Sequence, residues 1–177
     1  HLEVLHFLFC HALDLIQLRR DTATKLGAVS VIDPDSEKEM ATLKAMLQTT
    51  PGQGADLVLE LSGSPAALNL ALDLCAYTGR IIVGSWYGSK LVTLDLGGRF
   101  HRERINIISS QVSTISPELA GRWDRERRFS TALELIGSIK PQQLITHRME
   151  FGAAHEAYKL LDESPERVLQ TVLTYAQ

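Results

Sequence analysis

The sequence predicts an α/β fold, a doubly wound and mostly parallel sheet with helices on its faces. Three observations carry this reading. Strand-like and helix-like stretches alternate with short links, the pattern of βαβ units. The apolar runs are nearly unbroken, Ile81-Ile82-Val83 above all, which suits strands buried on both faces. Proline and glycine fall between the stretches, at Asp33-Pro34, Pro51-Gly52-Gln53-Gly54 and Ser62-Gly63-Ser64-Pro65, where the chain must turn.

The elements follow in order. Residues 12–17 read as a short apolar strand and 19–27 as a helix, with Gly27 suited to the left-handed position past its end. Residues 29–32 are the next strand. Ser36 is a good N-cap and Glu39 completes a capping box, so a helix runs from there to about Thr50. Residues 56–61 are a strand. Ser64 then caps a helix that Pro65 opens, and Leu68, Leu72 and Cys75 lie on its core stripe. Residues 80–84 form a further buried strand. From Ser85 the rhythm changes: residues 91–96 alternate weakly, and a basic stretch at 99–104 follows Gly97-Gly98. Residues 105–110 are expected as a strand, 117 to about 137 as a long helix, 144–149 as a strand, 152–163 as a helix and 168–175 as the last strand.

Composition narrows the function. The chain has 177 residues, 45% of them hydrophobic and 22% charged. That is a globular composition, enough for one domain or a large fragment of one. A net charge of −3 argues against nucleic acid as a partner. No apolar run is long enough to span a membrane. Cys10 and Cys75 make no CxxC pair and are too few for a disulfide framework, which favours a reducing, cytoplasmic setting. The chain opens on His1, and its apolar first ten residues lack the basic segment and cleavage site of a signal peptide. It is therefore treated as a fragment.

In a doubly wound sheet, ligands sit beyond the carboxyl ends of the strands. The residues at those ends are Asp14, Leu61-Ser62-Gly63, Gly84-Ser85-Trp86-Tyr87-Gly88 and Ser109-Ser110-Gln111. Asp14 can accept both hydroxyls of a ribose, or can be an acid favoured by a helix N-terminus. Gly63, Gly84 and Gly88 are ordinary turn glycines or points of close approach to a flat ligand. Cys10 with His1, His6 and His11 has no recognisable metal spacing, and Cys75 reads as a small core residue. The arginines at 122, 125, 127 and 128, interleaved with acids, read as a solvated helix face. Arg99, His101, Arg102 and Arg104 form a denser basic patch, read as structural or as a subunit contact, and His147 reads as a structural histidine. There is no nucleophile elbow and no Walker loop.

The runs Ala12-Leu13-Asp14, Lys25-Leu26-Gly27-Ala28, Val31-Ile32-Asp33-Pro34, Gly54 to Gly63 and Gly79 to Gly84, in this order and spacing, resemble the cofactor domain of medium-chain, zinc-type alcohol dehydrogenases. The tail, Leu144 to Phe151, Ala157 to Leu161 and Val172 to Tyr175, resembles the end of the same enzymes. The resemblance covers about residues 11–177. It implies a Rossmann-like fold lacking its first strand and glycine-rich turn, since residues 1–10 contain no glycine. Residues 1–10 are then an atypical N-terminal segment. Residues 11–140 are a truncated dinucleotide-binding domain, and 141–177 return toward an absent catalytic domain.

What the resemblance implies for the site is residue by residue. Asp14 matches the acid that binds the adenosine ribose diol, and Arg19 a basic residue beside it. Leu61 and Ser62 match a strand end near the cofactor riboses. Val83, Gly84 and Ser85 match the backbone that meets the nicotinamide carboxamide. Ile107, Ile108 and Ser109 match the strand end lining the nicotinamide. Gln170 stands where the family often has a cation for the pyrophosphate. The implied cofactor is NAD, with NADP as the alternative because Arg19 and Arg20 could neutralise a 2′-phosphate. Zinc belongs to the family, but its ligand set is missing from this sequence. The implied reaction is NAD(P)-linked hydride transfer between an alcohol and a carbonyl, with no turnover by this chain alone. The implied assembly is a homodimer formed through edge strands in residues 91–108. An inactive dinucleotide-binding or assembly module, and a zinc-free quinone-reductase-like relative, are the competing readings. A Cys/His/Glu zinc pattern upstream of His1 would separate them.

Overall fold

Short apolar runs set the strands, and longer runs with apolar residues at helical spacing, as in α2 and α3, set helices between them. The computed structural model describes residues 9–175 except residue 51. The elements are β1 (His11–Leu13), α1 (Gln17–Lys25), β2 (Ser30–Ile32), α2 (Glu37–Gln48), β3 (Ala55–Glu60), α3 (Pro65–Leu74), β4 (Cys75–Val83), β5 (Asn106–Ser109), α4 (Arg125–Ile139), β6 (Ile145–Glu150), α5 (Ala154–Glu163) and β7 (Gln170–Thr174). The pairs β1–β2, β3–β4, β4–β5 and β6–β7 are all parallel; α1, α3 and α5 make three of the crossovers that parallel pairs require, and residues 84–105 cross from β4 to β5 without an α-helix. The chain divides into two compact units, one from residues 1–40 and 126–177, the other from residues 41–125.

In the first unit His11, Ala12 and Leu13 pair with Ser30, Val31 and Ile32. The Asp14 amide extends the ladder to the Ile32 carbonyl at 3.2 Å. α1 closes at Gly27, whose φ of +98° is the left-handed geometry the sequence anticipated. β6 and β7 form a second parallel pair, with the Phe151 and Tyr175 rings stacked 4.9 Å apart.

In the second unit β4 is the middle strand of the order β3-β4-β5. α3 buries Leu68, Ala71 and Leu72 against Cys75, Ile81 and Ile105. Each fully buried leucine contributes about 1.5–3 kcal/mol. Tyr87, Val92 and Leu94 pack against the edge of this cluster. Along α2, Met40, Leu43 and Leu47 recur at helical spacing, and all three are buried.

Four elements differ from expectation. β4 begins at Cys75, directly after α3, rather than at Arg80. Ala55 pairs with Cys75, and the register then jumps so that Leu57 pairs with Arg80. Close approach makes this possible: a Cβ on Gly54 would stand 2.6 Å from the Ala76 nitrogen, and one on Gly79 would stand 2.7 Å from Cys75 Sγ. Cys75 is thus fully buried, as expected of a core residue, but in a strand. Residues 91–96 form no strand. Asn69 Nδ2 donates to the Thr93 carbonyl at 2.9 Å, and Val92 and Leu94 sit on the core, so side chains rather than a ladder hold this segment. The helix expected from Pro117 begins at Arg125. Separate turns precede it, including Leu119 to Ser116 and Trp123 to Leu119, and Gly121 lies where a helix would have to continue. Half of the capping box forms: Ser36 Oγ accepts the Glu39 amide at 3.4 Å, while the Glu39 carboxylate takes the Asp33 amide at 2.7 Å.

Candidate functional site

The end of β1 carries the first candidate pair. Asp14 Oδ1 accepts the Ile16 amide at 2.8 Å, a local turn that aims the carboxylate along the start of α1. Oδ2 faces Arg19 Nη1 at 3.6 Å, and both side chains are part exposed. Arg20 is spent internally. Its guanidinium donates to the Asp14 carbonyl at 2.5 Å and to Gln17 at 2.7 Å, and pairs with Asp33 at 3.1 Å. The structure therefore joins Asp14 to Arg19, as expected, and turns Arg20 away from the role of a second exposed cation.

The ends of β3, β4 and β5 carry the second. Leu61 and Ser62 follow β3, Gly84 and Ser85 follow β4, and Val83 pairs with Ser109. Ile107 and Ile108 pair with Ile81 and Ile82 one step back along the same strands. Eight of the expected residues, Leu61, Ser62, Val83, Gly84, Ser85, Ile107, Ile108 and Ser109, thus belong to one edge of one sheet. Gly84 N donates to the Glu60 carbonyl at 2.9 Å, and Ser110 N donates to the Val83 carbonyl at 2.8 Å. Among the described residues, the Gly84 carbonyl and the Ser85 N–H take no part in those bonds. The two belong to one trans peptide group and point to opposite sides of the chain, so a ligand on one side of this edge meets one of them.

Beneath this edge lies a residue the sequence reading passed over. Glu60 ends β3 and is 3% exposed. Its Oε1 accepts Ser62 N at 2.7 Å, Ser62 Oγ at 2.5 Å and Gly63 N at 3.0 Å. Its Oε2 accepts the Ser85 hydroxyl and, at 2.8 Å, the Tyr87 hydroxyl. Burial pushes the Glu60 pKa up, but the donated hydrogen bonds from Ser62, Ser85 and Tyr87 outweigh it and hold the carboxyl below its ordinary range. Burial and the Glu60 charge push the Tyr87 phenol up to about 12. The signal was present: an acid closing the apolar run Leu57-Val58-Leu59, two residues before Ser62-Gly63-Ser64. Gly63 has φ +67°, and a Cβ there would stand 3.2 Å from the Trp86 carbonyl.

The remaining candidates make contacts of their own. Arg99 donates to the Cys75 carbonyl at 2.8 Å and pairs with Glu103 at 2.7 Å. His147 meets Thr146 Oγ1 at 3.0 Å. Gln170 is exposed and bonds the Thr171 carbonyl. His1 and His6 lie outside the described residues, as do the other residues up to 8. Among the described residues no group of three or more His, Cys, Asp or Glu gathers to hold a metal ion, and no helix is long and apolar enough to cross a membrane.

The chain is similar to known proteins. The family model described as zinc-binding dehydrogenase matches residues 10–136. A D-guloside 3-dehydrogenase of Escherichia coli is 30% identical over 168 residues, 92% of this chain and 46% of that protein. An L-threonine 3-dehydrogenase of Pyrococcus horikoshii is 32% identical over 146 residues, 81% of this chain and 38% of that protein. The chain thus spans less than half the length of these relatives. Among solved structures, an alcohol dehydrogenase of Thermotoga maritima superposes with a TM-score of 0.76 at 20% identity, covering 94% of this chain and 43% of that one. An Escherichia coli alcohol dehydrogenase complexed with NADH superposes at 0.71 and 21% identity, covering 93% and 44%. At this identity the likeness establishes the fold, the doubly wound α/β architecture expected from the sequence.

Proposed function

Because the chain belongs to the zinc-binding dehydrogenase family, we propose that it is the cofactor-binding portion of an oxidoreductase that moves hydride between an alcohol and a carbonyl. The observation that carries this reading is the β3–β5 edge, where Val83, Gly84 and Ser85 at the end of β4 stand between Leu61 and Ser62 after β3 and Ser109 at the end of β5. A bound nicotinamide would supply the hydride chemistry. The chain's own part is to hold it: the backbone of Val83, Gly84 and Ser85 meets the carboxamide, and Ile107, Ile108 and Ser109 line the ring. Asp14 takes the adenosine ribose hydroxyls, with Arg19 beside it. The engagement of Arg20 with Asp33 and Gln17 favours NAD over NADP, since it removes one of the two cations a 2′-phosphate would need. The described residues do not fit a catalytic zinc, so no step is assigned to one.

Titration of the chain with NADH and NADPH, followed by nucleotide fluorescence, tests the reading. NADH is expected to bind saturably and more tightly than NADPH. A charge-assisted hydrogen bond is worth roughly 1.5–3 kcal/mol, so Asp14→Ala should weaken NADH at least about tenfold and narrow the preference. Absence of saturable NADH binding would overturn the proposal. A wild type that prefers NADPH would overturn the role of Asp14.

A further inference from the structure

Glu60 is a buried carboxylate with no cation paired to it among the described residues. Such a charge is tolerated only where donors surround it, and here five hydrogen bonds do so. An apolar residue would end β3 without that desolvation penalty, so the carboxylate has a use other than filling the core. Its two oxygens divide between two segments. Oε1 folds the chain that leaves β3, through Ser62 and Gly63. Oε2 holds the chain that leaves β4, through Ser85 and Tyr87. A second strap runs the same way, since Lys90 Nζ donates to the Gly63 carbonyl at 2.8 Å. Tyr87 is anchored in turn by the core cluster.

We propose that Glu60 is a positioning residue for the cofactor: by holding Ser85 and Tyr87 to the end of β3, it fixes the Gly84–Ser85 backbone in the orientation that receives the nicotinamide carboxamide. The proposal rests on the cofactor reading above. It makes Glu60 specific to the nicotinamide end of the ligand. ADP-ribose, which lacks the nicotinamide, gains nothing from a fixed Ser85.

The test compares wild type with Glu60→Gln and Tyr87→Phe in the full chain, well below the melting temperature. Glutamine keeps the volume of glutamate, and its amide can face the two hydroxyls, which accept as well as donate. Two quantities are read: amide hydrogen exchange of residues 84–88 without nucleotide, and affinity for NADH and ADP-ribose. Glu60→Gln is expected to speed exchange at 84–88 at least tenfold while Ile81 stays protected. It should also weaken NADH at least fivefold and leave ADP-ribose within twofold, with Tyr87→Phe intermediate. Unchanged exchange, or equal losses for NADH and ADP-ribose, would overturn the positioning role while leaving the cofactor reading intact. A wild type that binds neither nucleotide would instead overturn the cofactor reading, and this proposal with it. If Glu60→Gln fails to fold, Tyr87→Phe carries the same comparison with the same criteria.

Discussion

The Tyr87 hydroxyl donates to Glu60 Oε2 at 2.8 Å, joining residues 27 apart in the chain. Ionising Tyr87 would place a second negative charge against that carboxylate. Burial and this contact push the phenol from 10.0 up to about 12. The neutral phenol is the form the fold favours, so its contribution to stability is complete below pH 10 and is lost as pH rises through about 12. Spectrophotometric titration at 295 nm should show one tyrosine ionising near pH 12 that is absent from Tyr87→Phe. If the tyrosine lost in Tyr87→Phe instead ionises near pH 10 in the wild type, the contact does not form.

Glu60 has the opposite sign. Its folded pKa is lowered from 4.5, so the stability of its ionised form is present above that value and lost as pH falls through the lower one. Urea unfolding of wild type and Glu60→Gln should differ most near neutrality. The difference should shrink as the pH is taken from about 6 to about 3. A pH-independent difference would mean that Glu60 contributes as a neutral group.

Gly54 and Gly137 should respond oppositely to alanine. A Cβ on Gly54 would stand 2.6–2.7 Å from backbone atoms of Cys75 and Ala76, which cannot move aside without breaking the β3–β4 junction. Gly54→Ala should cost at least about 1–3 kcal/mol. Gly137 lies within α4, with nothing within 4 Å of the added methyl. Gly137→Ala should stabilise by about 0.5–1 kcal/mol. Denaturant midpoints measure both.

Cys75 is fully buried, and burial pushes its thiol up to about 11, whereas Cys10 is exposed. A thiol-reactive probe at pH 8 should therefore label Cys10 quickly and Cys75 only after unfolding. Two fast-reacting thiols in the native chain would contradict the start of β4 at Cys75.

Much of the fold was legible because burial writes itself into composition. Residues 57–59 and 81–83 are apolar runs that read as strands, and Ser64-Pro65 marks the start of α3. The strand-end residues of the site followed from that placement, Asp14 and Ser85 among them. What the sequence did not reveal depends on contacts across long separations. The early start of β4 depends on glycines at 54 and 79 letting two backbones approach, which local propensity does not record. Residues 91–96 are held by Asn69, more than 20 positions away, so their weak alternation suggested a strand that no ladder completes. Glu60 was visible as an acid closing an apolar run, but its partners Ser85 and Tyr87 come from the next strand's turn, and only the fold brings them to it.

The central claim is that the β3–β5 edge receives the nicotinamide. Hydrogen exchange of the wild-type chain with and without saturating NADH measures this directly. The account predicts slower exchange at residues 84–86 and 108–110 when NADH is bound, and at 84–86 a smaller effect from ADP-ribose. NADH binding that leaves both segments unchanged would contradict it.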